Sequence, residues 1–325
     1  MDMSNQIAIS ELSRSVTQKI LGQEKLVNRL VIALLADGHL LVEGAPGLAK
    51  TRAVKTLAAH IEGEFHRIQF TPDLLPADLT GTEIFRPQDA SFQFQPGPLF
   101  HNLILADEIN RAPAKVQSAL LEAMGERQIT VGPKTYPLPP LFMVMATQNP
   151  IEQEGTHPLP EAQLDRFLLL VRIGYPQAQV ERDILRLVRA EALQEGTHQR
   201  LSPVKKVTTA TLLAARQEVL AMHMADSVEN YLLHLIQASR TPEKYGSELA
   251  GIVQYGASPR ATIALDRCAR AHAWLEGRDF VTPDDVRALA PDVLRHRLIL
   301  TFEAEAQGHT SDSFINQLLQ RVPAP

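Results

Sequence analysis

The 325-residue chain lacks several features that define whole classes of protein. Its single cysteine, Cys268, excludes an intrachain disulfide and has no metal-type spacing to other ligands. The longest uncharged stretch, residues 135–151, is broken by four prolines, so it fails as a membrane span of about 20 apolar residues. The N-terminus has neither the basic region nor the apolar stretch of a secretory signal. These absences predict a cytoplasmic protein without a transmembrane segment.

Charge and histidine content exclude further classes. The formal net charge is −5 and there is no basic run, which argues against nucleic acid as the main partner. The eleven histidines show neither an HExxH motif nor pairing with cysteine, so we expect them to be structural or surface residues. A composition with 45% hydrophobic and 21% charged residues is typical of one large globular domain or two ordinary ones.

The pattern of apolar residues predicts an α/β domain followed by a helical one. Residues 12–35 have helical periodicity with a break at 20–23. Apolar strands then alternate with amphipathic helices, which predicts a parallel sheet covered by helices over residues 1–175. After residue 175 every convincing segment has helical period, so residues 176–325 are predicted to form a separate helical domain. The predicted strands are residues 39–42, 65–70, 103–106, 141–147 and 167–171.

Two insertions in the first domain, at about 82–95 and about 128–138, have alternating residues around turn sequences, and each predicts a β-hairpin. Neither is needed for a minimal sheet. They are either surface hairpins without a binding role or contacts for a partner or substrate.

The stretch VEGAPGLAKTR at residues 42–52 approaches a phosphate-binding loop, in which backbone N–H groups surround phosphates and a lysine reaches the outer ones. Gly44, Lys50 and Thr51 keep the register of that pattern, and Gly47 can supply a corner with positive φ. Ala49 stands where the pattern has glycine, and we expect it to lie in the first helical turn with negative φ. The alternative is a Pro-Gly turn that happens to precede a lysine.

Acidic and amide residues follow two of the predicted strands. Asp107 and Glu108 end the strand at 103–106, where open α/β sheets bind ligands. Asp107 is placed to hold Mg²⁺, and Glu108 to polarise the water that attacks a γ-phosphate. Asn149, after the strand at 141–147, is placed to orient the same water. The alternative for the acid pair is an edge feature without a ligand.

Two arginines are candidates for phosphate contact. Arg166 precedes the last strand, where it either pairs with a carboxylate or projects to the γ-phosphate of a neighbouring subunit. Ser258 and Pro259 predict a helix start, which places Arg260 in the first turn. A cation there opposes the helix dipole, so an anionic partner is expected, with a surface carboxylate as the alternative to phosphate.

Together these segments resemble the AAA+ ATPases and, more closely, the MoxR family, over nearly the whole chain. The motifs are GAPGLAKT, LLADEINRAP, LLEAMGERQITV, ATQNPIEQEGTHPLPEAQLDRF, GASPRA and VTPDDVRALAPDVLRHRL. Alanine in place of the last loop glycine is usual in that family. The resemblance implies ATP and Mg²⁺ as cofactors, with the nucleotide bound by the loop residues Gly44, Ala45, Pro46, Gly47, Leu48, Ala49, Lys50, Thr51 and Arg52.

The resemblance also implies roles for residues outside the loop. The break at Leu21 and Gly22 would lie near adenine, and Thr51 and Asp107 would hold the metal. Catalytic roles would fall to Lys50, to Glu108, to Asn149 as sensor 1, to Arg166 as arginine finger, to Arg260 as sensor 2, and to Arg111 as a second interface arginine.

The implied architecture is a P-loop AAA+ core with a parallel five-stranded sheet, followed by an all-helical lid. By the same resemblance, the hairpin at about 82–95 would be a helix-2 insert and the one at about 128–138 a pre-sensor-1 hairpin. Both would face the pore of a hexameric homo-oligomeric ring. An extra helix would lie between residues 176 and 256, before sensor 2. The family further implies a partner with a von Willebrand factor A domain and a client protein that the chain does not identify.

Three alternatives remain open. A self-contained P-loop phosphotransferase would need an acceptor pocket and a lid arginine in its own chain. A nucleic-acid motor shares both hairpins, but residues 129–138 offer only Lys134 as a cation. An ATPase subunit of the magnesium-chelatase type has the same core and the same class of partner.

Overall fold

The computed structural model describes residues 3–88, 90–150, 155–195 and 205–325. The first part of the chain forms α1 (Met3–Lys19), α2 (Glu24–Leu35), β1 (Leu40–Glu43), α3 (Lys50–Ala59), β2 (Phe65–Gln69), α4 (Pro76–Thr80), β3 (Gly81–Arg86), β4 (Ser91–Pro96), β5 (Leu103–Asp107), α5 (Ala114–Glu126), β6 (Gln128–Val131), β7 (Lys134–Pro137), β8 (Met143–Gln148), α6 (Glu161–Leu164) and β9 (Leu169–Arg172). The rest forms α7 (Ala178–Glu195), α8 (Thr209–Leu220), α9 (Asp226–Arg240), β10 (Val253–Tyr255), α10 (Pro259–Leu275), α11 (Pro283–Leu294), β11 (Ile299–Leu300), α12 (Phe302–Ala306) and α13 (Ser311–Arg321).

The five strands that the apolar pattern predicts form one parallel sheet in the order β2-β5-β8-β1-β9. The three central strands are almost entirely buried, which explains their continuous apolar sequences. β2, at one edge, is largely accessible and carries polar side chains between apolar ones. The carboxyl ends of β1, β5 and β8 therefore meet at one edge of the sheet, where open α/β sheets bind ligands.

Both predicted hairpins are present as separate two-stranded antiparallel sheets, β3 with β4 and β6 with β7. Aromatic rings join them, since Phe94 of β4 stacks on Tyr136 of β7 with ring centroids 4.2 Å apart. Phe100 packs edge-on against Phe94, with centroids 5.6 Å apart. The tip of the first hairpin exposes Phe85 and Phe92. Asp89, which falls between β3 and β4 in the sequence, lies outside the described residues.

The part of the chain after β9 is helical, as predicted, with one small exception. β10 and β11 pair as a two-stranded antiparallel ribbon. The predicted extra helix before Arg260 falls within residues 176–256, of which 196–204 lie outside the described part. The predicted domain boundary near residue 175 falls between β9 and α7. None of the helices in the described ranges is long and apolar enough to cross a bilayer.

Two hydrophobic clusters lie on opposite faces of the sheet. The larger one joins α1 and α2 to the lid helices α8 to α11 and includes the fully buried Trp274 and Tyr231. The smaller one lies under α4 and α5. The helices that precede the sheet therefore share a core with the lid, so the lid is attached to the sheet through more than its linker.

Candidate functional site

The loop between β1 and α3 turns sharply just before the helix begins. Gly47 has φ of +83°, as the sequence pattern predicts. Ala49 has φ of +58° and occupies the N-cap position, because α3 begins at Lys50. The prediction that Ala49 lies in the first helical turn with negative φ is therefore wrong. The left-handed conformation costs an alanine on the order of 1 kcal/mol.

Gly44 and Lys50 are connected across this loop. A Cβ atom on Gly44 would lie 2.5 Å from Cγ1 of Ile173 and 2.9 Å from its carbonyl oxygen, so only glycine fits this close approach. The Nζ atom of Lys50 donates a hydrogen bond to the Gly44 carbonyl at 2.7 Å. The lysine charge thus lies over the loop, as a phosphate-binding loop requires.

Asp107 lies beside the loop and accepts several hydrogen bonds. Its Oδ1 accepts from Oγ1 of Thr147 at 2.6 Å, and its Oδ2 accepts from Oγ1 of Thr51 at 3.4 Å. Arg67 of β2 donates to the same Oδ2 from Nη2 at 2.7 Å and from Nε at 3.1 Å. Thr51 and Asp107, which the sequence pairs as metal ligands, are therefore adjacent in the structure.

Glu108 is held by side chains from three different segments. Its backbone has φ of +57°, and its N–H donates to Oγ1 of Thr147 at 2.9 Å. Its Oε2 accepts from Nε2 of Gln69 at 2.8 Å and from Nη1 of Arg111 at 3.1 Å. Arg111 thus contacts Glu108 of its own chain in this structure. Its predicted contact across an interface stays a prediction.

Arg67 and Gln69 are functional candidates that the sequence analysis missed. They are alternate residues of β2 and so lie on one face of the strand, where Arg67 also donates to Oε1 of Gln69 at 2.9 Å. The only local signal was a pair of polar residues in a strand that also contains Ile68. Their partners, Asp107 and Glu108, become neighbours only because β2 pairs with β5.

A cleft of about 360 Å³ lies where these groups converge. Its lining combines the loop with the two acids and with the buried amide of Asn149. The residues that line it are Pro46, Gly47, Leu48, Ala49, Lys50, Thr51, Arg52, Asp107, Glu108 and Asn149. Most of the predicted site is therefore in one place.

Two predicted nucleotide-binding residues, Leu21 and Gly22, lie away from the cleft, and a third, Arg52, has additional contacts outside it. Gly22 has φ of +77°, and a Cβ on it would lie 2.6 Å from Cγ1 of Val180 at the start of α7. Leu21 and Gly22 are not among the residues that line the cleft. The guanidinium of Arg52 donates to the Lys19 carbonyl at 3.1 Å and pairs with Glu191 of α7. Arg52 thus connects α1 and α7 to the loop helix.

Arg166 and Arg260 lie outside the cleft of their own chain. Nη1 of Arg166 donates to the Leu121 carbonyl of α5 and lies against Gly125, on which a Cβ would be 3.1 Å from it. Arg260 is in the first turn of α10, as predicted, and its Nη1 lies 3.7 Å from Oδ2 of Asp165. A carboxylate therefore neighbours Arg260, which is the alternative that the helix-dipole argument left open.

Asp165 joins these two arginine-bearing segments to the lid. Its Oδ2 accepts from Oγ of Ser258 at 3.0 Å, and its Oδ1 accepts from Nε of the buried Arg297 at 2.7 Å. Burial lowers the pKa of the Arg297 guanidinium, and the hydrogen bond and charge of Asp165 offset part of that shift. The segment that carries Arg166 is thus bound to the start of α10 and to Arg297, which follows α11.

The chain is similar to known proteins over most of its length. A family model described as the ATPase family associated with various cellular activities (AAA) matches residues 39–169, and an AAA lid domain model matches residues 247–318. Chaperone MoxR1 of Mycobacterium tuberculosis is 46% identical over 95% of this chain and 80% of that protein. Protein MoxR of Methylorubrum extorquens is 32% identical over 98% of this chain and 95% of that protein.

A solved structure is also similar. It is the crystal structure of a Cytophaga hutchinsonii protein provisionally assigned as an ATPase. It aligns with a TM-score of 0.90 and 45% identity, covering 99% of this chain and 96% of that one.

Proposed function

The chain belongs to the MoxR family of AAA+ ATPases, and from this premise we propose that it hydrolyses ATP with Mg²⁺ at the interfaces of a hexameric ring in the cytoplasm. The observation that carries the proposal is the convergence of Lys50, Thr51, Asp107 and Glu108 in one cleft, while Arg166 and Arg260 lie outside it. We also propose that hydrolysis remodels or matures a client protein complex.

The residues of the cleft fit a nucleotide with a magnesium ion. Thr51 and Asp107 offer a hydroxyl and a carboxylate, and Mg²⁺ prefers oxygen ligands together with phosphates and water. Within the described residues, no cluster of three or more histidine, cysteine or acidic side chains provides a different kind of metal site. When bound, the ion would neutralise charge on the β- and γ-phosphates. Lys50 would contact those phosphates from the loop.

Glu108 is the candidate general base in this mechanism. A carboxylate that accepts hydrogen bonds from Gln69 and Arg111 is held in a defined position and remains available to accept a proton from water. Asn149 would orient the same water with its amide. Both roles are proposals that rest on the position of these residues in the cleft lining.

We propose that the catalytic site is completed by a neighbouring subunit. The guanidinium of Arg166 packs against α5 of its own chain, outside the cleft lining, so it would serve a neighbour's γ-phosphate after leaving the Leu121 carbonyl. Arg260 and Arg111 are the other candidates for contact with nucleotide at an interface. An arginine supplied in trans can contribute about 10³–10⁵-fold in rate.

The hairpins are the proposed route from hydrolysis to the client. They would face the pore as helix-2 insert (about 82–95) and pre-sensor-1 hairpin (about 128–138) of a core at 1–175, with the lid at 176–325. The Phe94–Tyr136 stack supports joint movement of the two hairpins. The partner would carry a von Willebrand factor A domain, and stimulation of the ATPase by such a purified protein would test this part separately.

The central test measures ATPase activity per subunit against protein concentration for the wild type, Arg166→Ala, Glu108→Gln and mixtures of the two variants. We expect activity per subunit to rise with concentration and the two inactive variants to rescue each other partly when mixed. Arg186→Ala removes an exposed arginine on α7 that pairs with Asp183, and serves as the matched control. Activity that is independent of concentration, with Arg166→Ala fully active, would contradict the shared site.

A further inference from the structure

Arg67 holds the carboxylate that the proposed function assigns to the metal. It belongs to β2, the edge strand next to β5, and its side chain is 45% exposed, whereas that of Asp107 is 12% exposed. Two nitrogens of Arg67 converge on a single oxygen, Oδ2 of Asp107, at 2.7 Å and 3.1 Å. The guanidinium is therefore positioned on the accessible side of this carboxylate.

The oxygen that Arg67 occupies is the one that faces Thr51. Oγ1 of Thr51 lies 3.4 Å from Oδ2 of Asp107, while Oδ1 of Asp107 is directed at Thr147 at 2.6 Å. Each carboxylate oxygen offers about two lone-pair positions, and the three donor contacts from Arg67 and Thr51 fill those of Oδ2, whereas Oδ1 has one contact, from Thr147. A metal-bound water can therefore reach Asp107 on the Thr51 side only if a present donor leaves.

From this geometry we propose that Arg67 is a positioning residue that stands in for the charge of Mg²⁺ at Asp107 and must release Oδ2 when the ion binds. The inference rests on the proposed function, because it takes Thr51 and Asp107 as the metal site. Arg67 then has two opposite effects. It opposes uptake of the metal by like-charge repulsion, and it favours binding of metal-free nucleotide by neutralising a carboxylate near the phosphates.

The size of the effect follows from the charges involved. A guanidinium and a divalent cation about 6 Å apart repel each other enough to change an affinity roughly tenfold, even with the dielectric constant of water. Replacement of Arg67 by a neutral residue should therefore tighten metal binding by about that factor. The same replacement should weaken nucleotide binding in the absence of metal, because the Asp107 charge is then uncompensated beside the phosphates.

The test uses the full chain with Arg67→Gln, with Arg67→Lys as the charge-conserving variant and Arg186→Gln as the exposed control. Mn²⁺ is titrated into each protein in the presence of a non-hydrolysable ATP analogue, and free Mn²⁺ is followed by electron paramagnetic resonance. Fluorescent nucleotide affinity is measured in EDTA. We expect Arg67→Gln to bind Mn²⁺ roughly tenfold tighter and nucleotide less tightly in EDTA, and Arg186→Gln to match the wild type.

The result that overturns the proposal is Mn²⁺ affinity in Arg67→Gln that is unchanged or weaker, since Arg67 would then support the metal site or be indifferent to it. If Arg67→Gln does not fold, Arg67→Met, a second neutral replacement, decides by the same criterion. Arg67→Lys keeps the positive charge, so its Mn²⁺ affinity should stay close to that of the wild type. A wild type that binds neither nucleotide nor Mn²⁺ would instead refute the proposed function.

Discussion

The buried pair between Asp165 and Arg297 should contribute strongly to the stability of the chain, and a double-mutant cycle measures how much. The Arg297 side chain is 3% exposed, and its Nε donates to Oδ1 of Asp165 at 2.7 Å. Removing one partner of a buried ion pair costs about 3–5 kcal/mol, because it leaves an uncompensated charge. The perturbations are Asp165→Ala, Arg297→Met and the two together.

The structure narrows the expected cost of each change. In Asp165→Ala, Arg297 keeps its hydrogen bonds to the carbonyls of Phe167 at 2.7 Å and Leu168 at 3.2 Å. We therefore expect the free energy of unfolding to fall by about 3 kcal/mol, the lower limit of that range. In Arg297→Met, Asp165 keeps the hydroxyl of Ser258 and is 17% exposed, so a cost of about 2 kcal/mol is expected. The double variant leaves no unpaired buried charge, so its cost should fall short of the sum by about 1–3 kcal/mol.

The assay is urea unfolding followed by circular dichroism, with all three variants compared with the wild type at one pH. The control cycle uses Asp183 and Arg186 of α7, an exposed pair for which no measurable coupling is expected. A coupling energy of zero between Asp165 and Arg297 would refute the reasoning, because it would mean that burial of the arginine does not depend on the carboxylate.

Three further predictions follow from other contacts. Burial raises the pKa of Asp285, but hydrogen bonds, led by those from Arg278, lower it by a larger amount. The net effect is a pKa well below the usual range of an aspartate. Its stabilising effect should be complete above about pH 4 and fade as pH falls below that value, and urea midpoints against pH should be flatter for Asp285→Asn. Leucine substitutions at Phe94 and Tyr136 should show a coupling of about 0.5–1.5 kcal/mol in unfolding experiments, whereas independent hairpins would show none. Burial raises the pKa of the Cys268 thiol to about 12, so a thiol reagent should modify it only in denaturant.

Much of the fold was predictable because its signals are local. The central strands of the parallel sheet have continuous apolar sequences, and both hairpins show alternating residues around turn sequences. The β10-β11 ribbon was missed because strands of three and two residues are too short to show a period. Their pairing also depends on contacts between segments far apart in sequence, which no local pattern records.

The site divides in the same way. Lys50, Thr51, Asp107 and Glu108 were predictable because they follow buried strands or belong to a phosphate-loop pattern. The contact between Arg67 and Asp107 was not predictable, because it requires β2 to lie beside β5. Strand order is a property of the whole sheet. The positive φ of Ala49 was missed for a different reason, since alanine normally avoids that conformation and the loop imposes it.

The lid and the segment that carries Arg166 should move together. Nε2 of His296 donates to the Phe167 carbonyl at 2.9 Å, and Nη1 of Arg295 donates to the Leu170 carbonyl at 2.6 Å. With the Arg297 contacts, three consecutive residues just after α11 donate hydrogen bonds to β9 and to the segment that precedes it. Rotation of the lid against β9 would break several buried hydrogen bonds at once. Each break would leave buried polar groups without partners, which costs free energy. We therefore expect a displacement of the lid to be transmitted through Asp165 to the residue beside it, Arg166, which is the residue proposed to act on the neighbouring subunit.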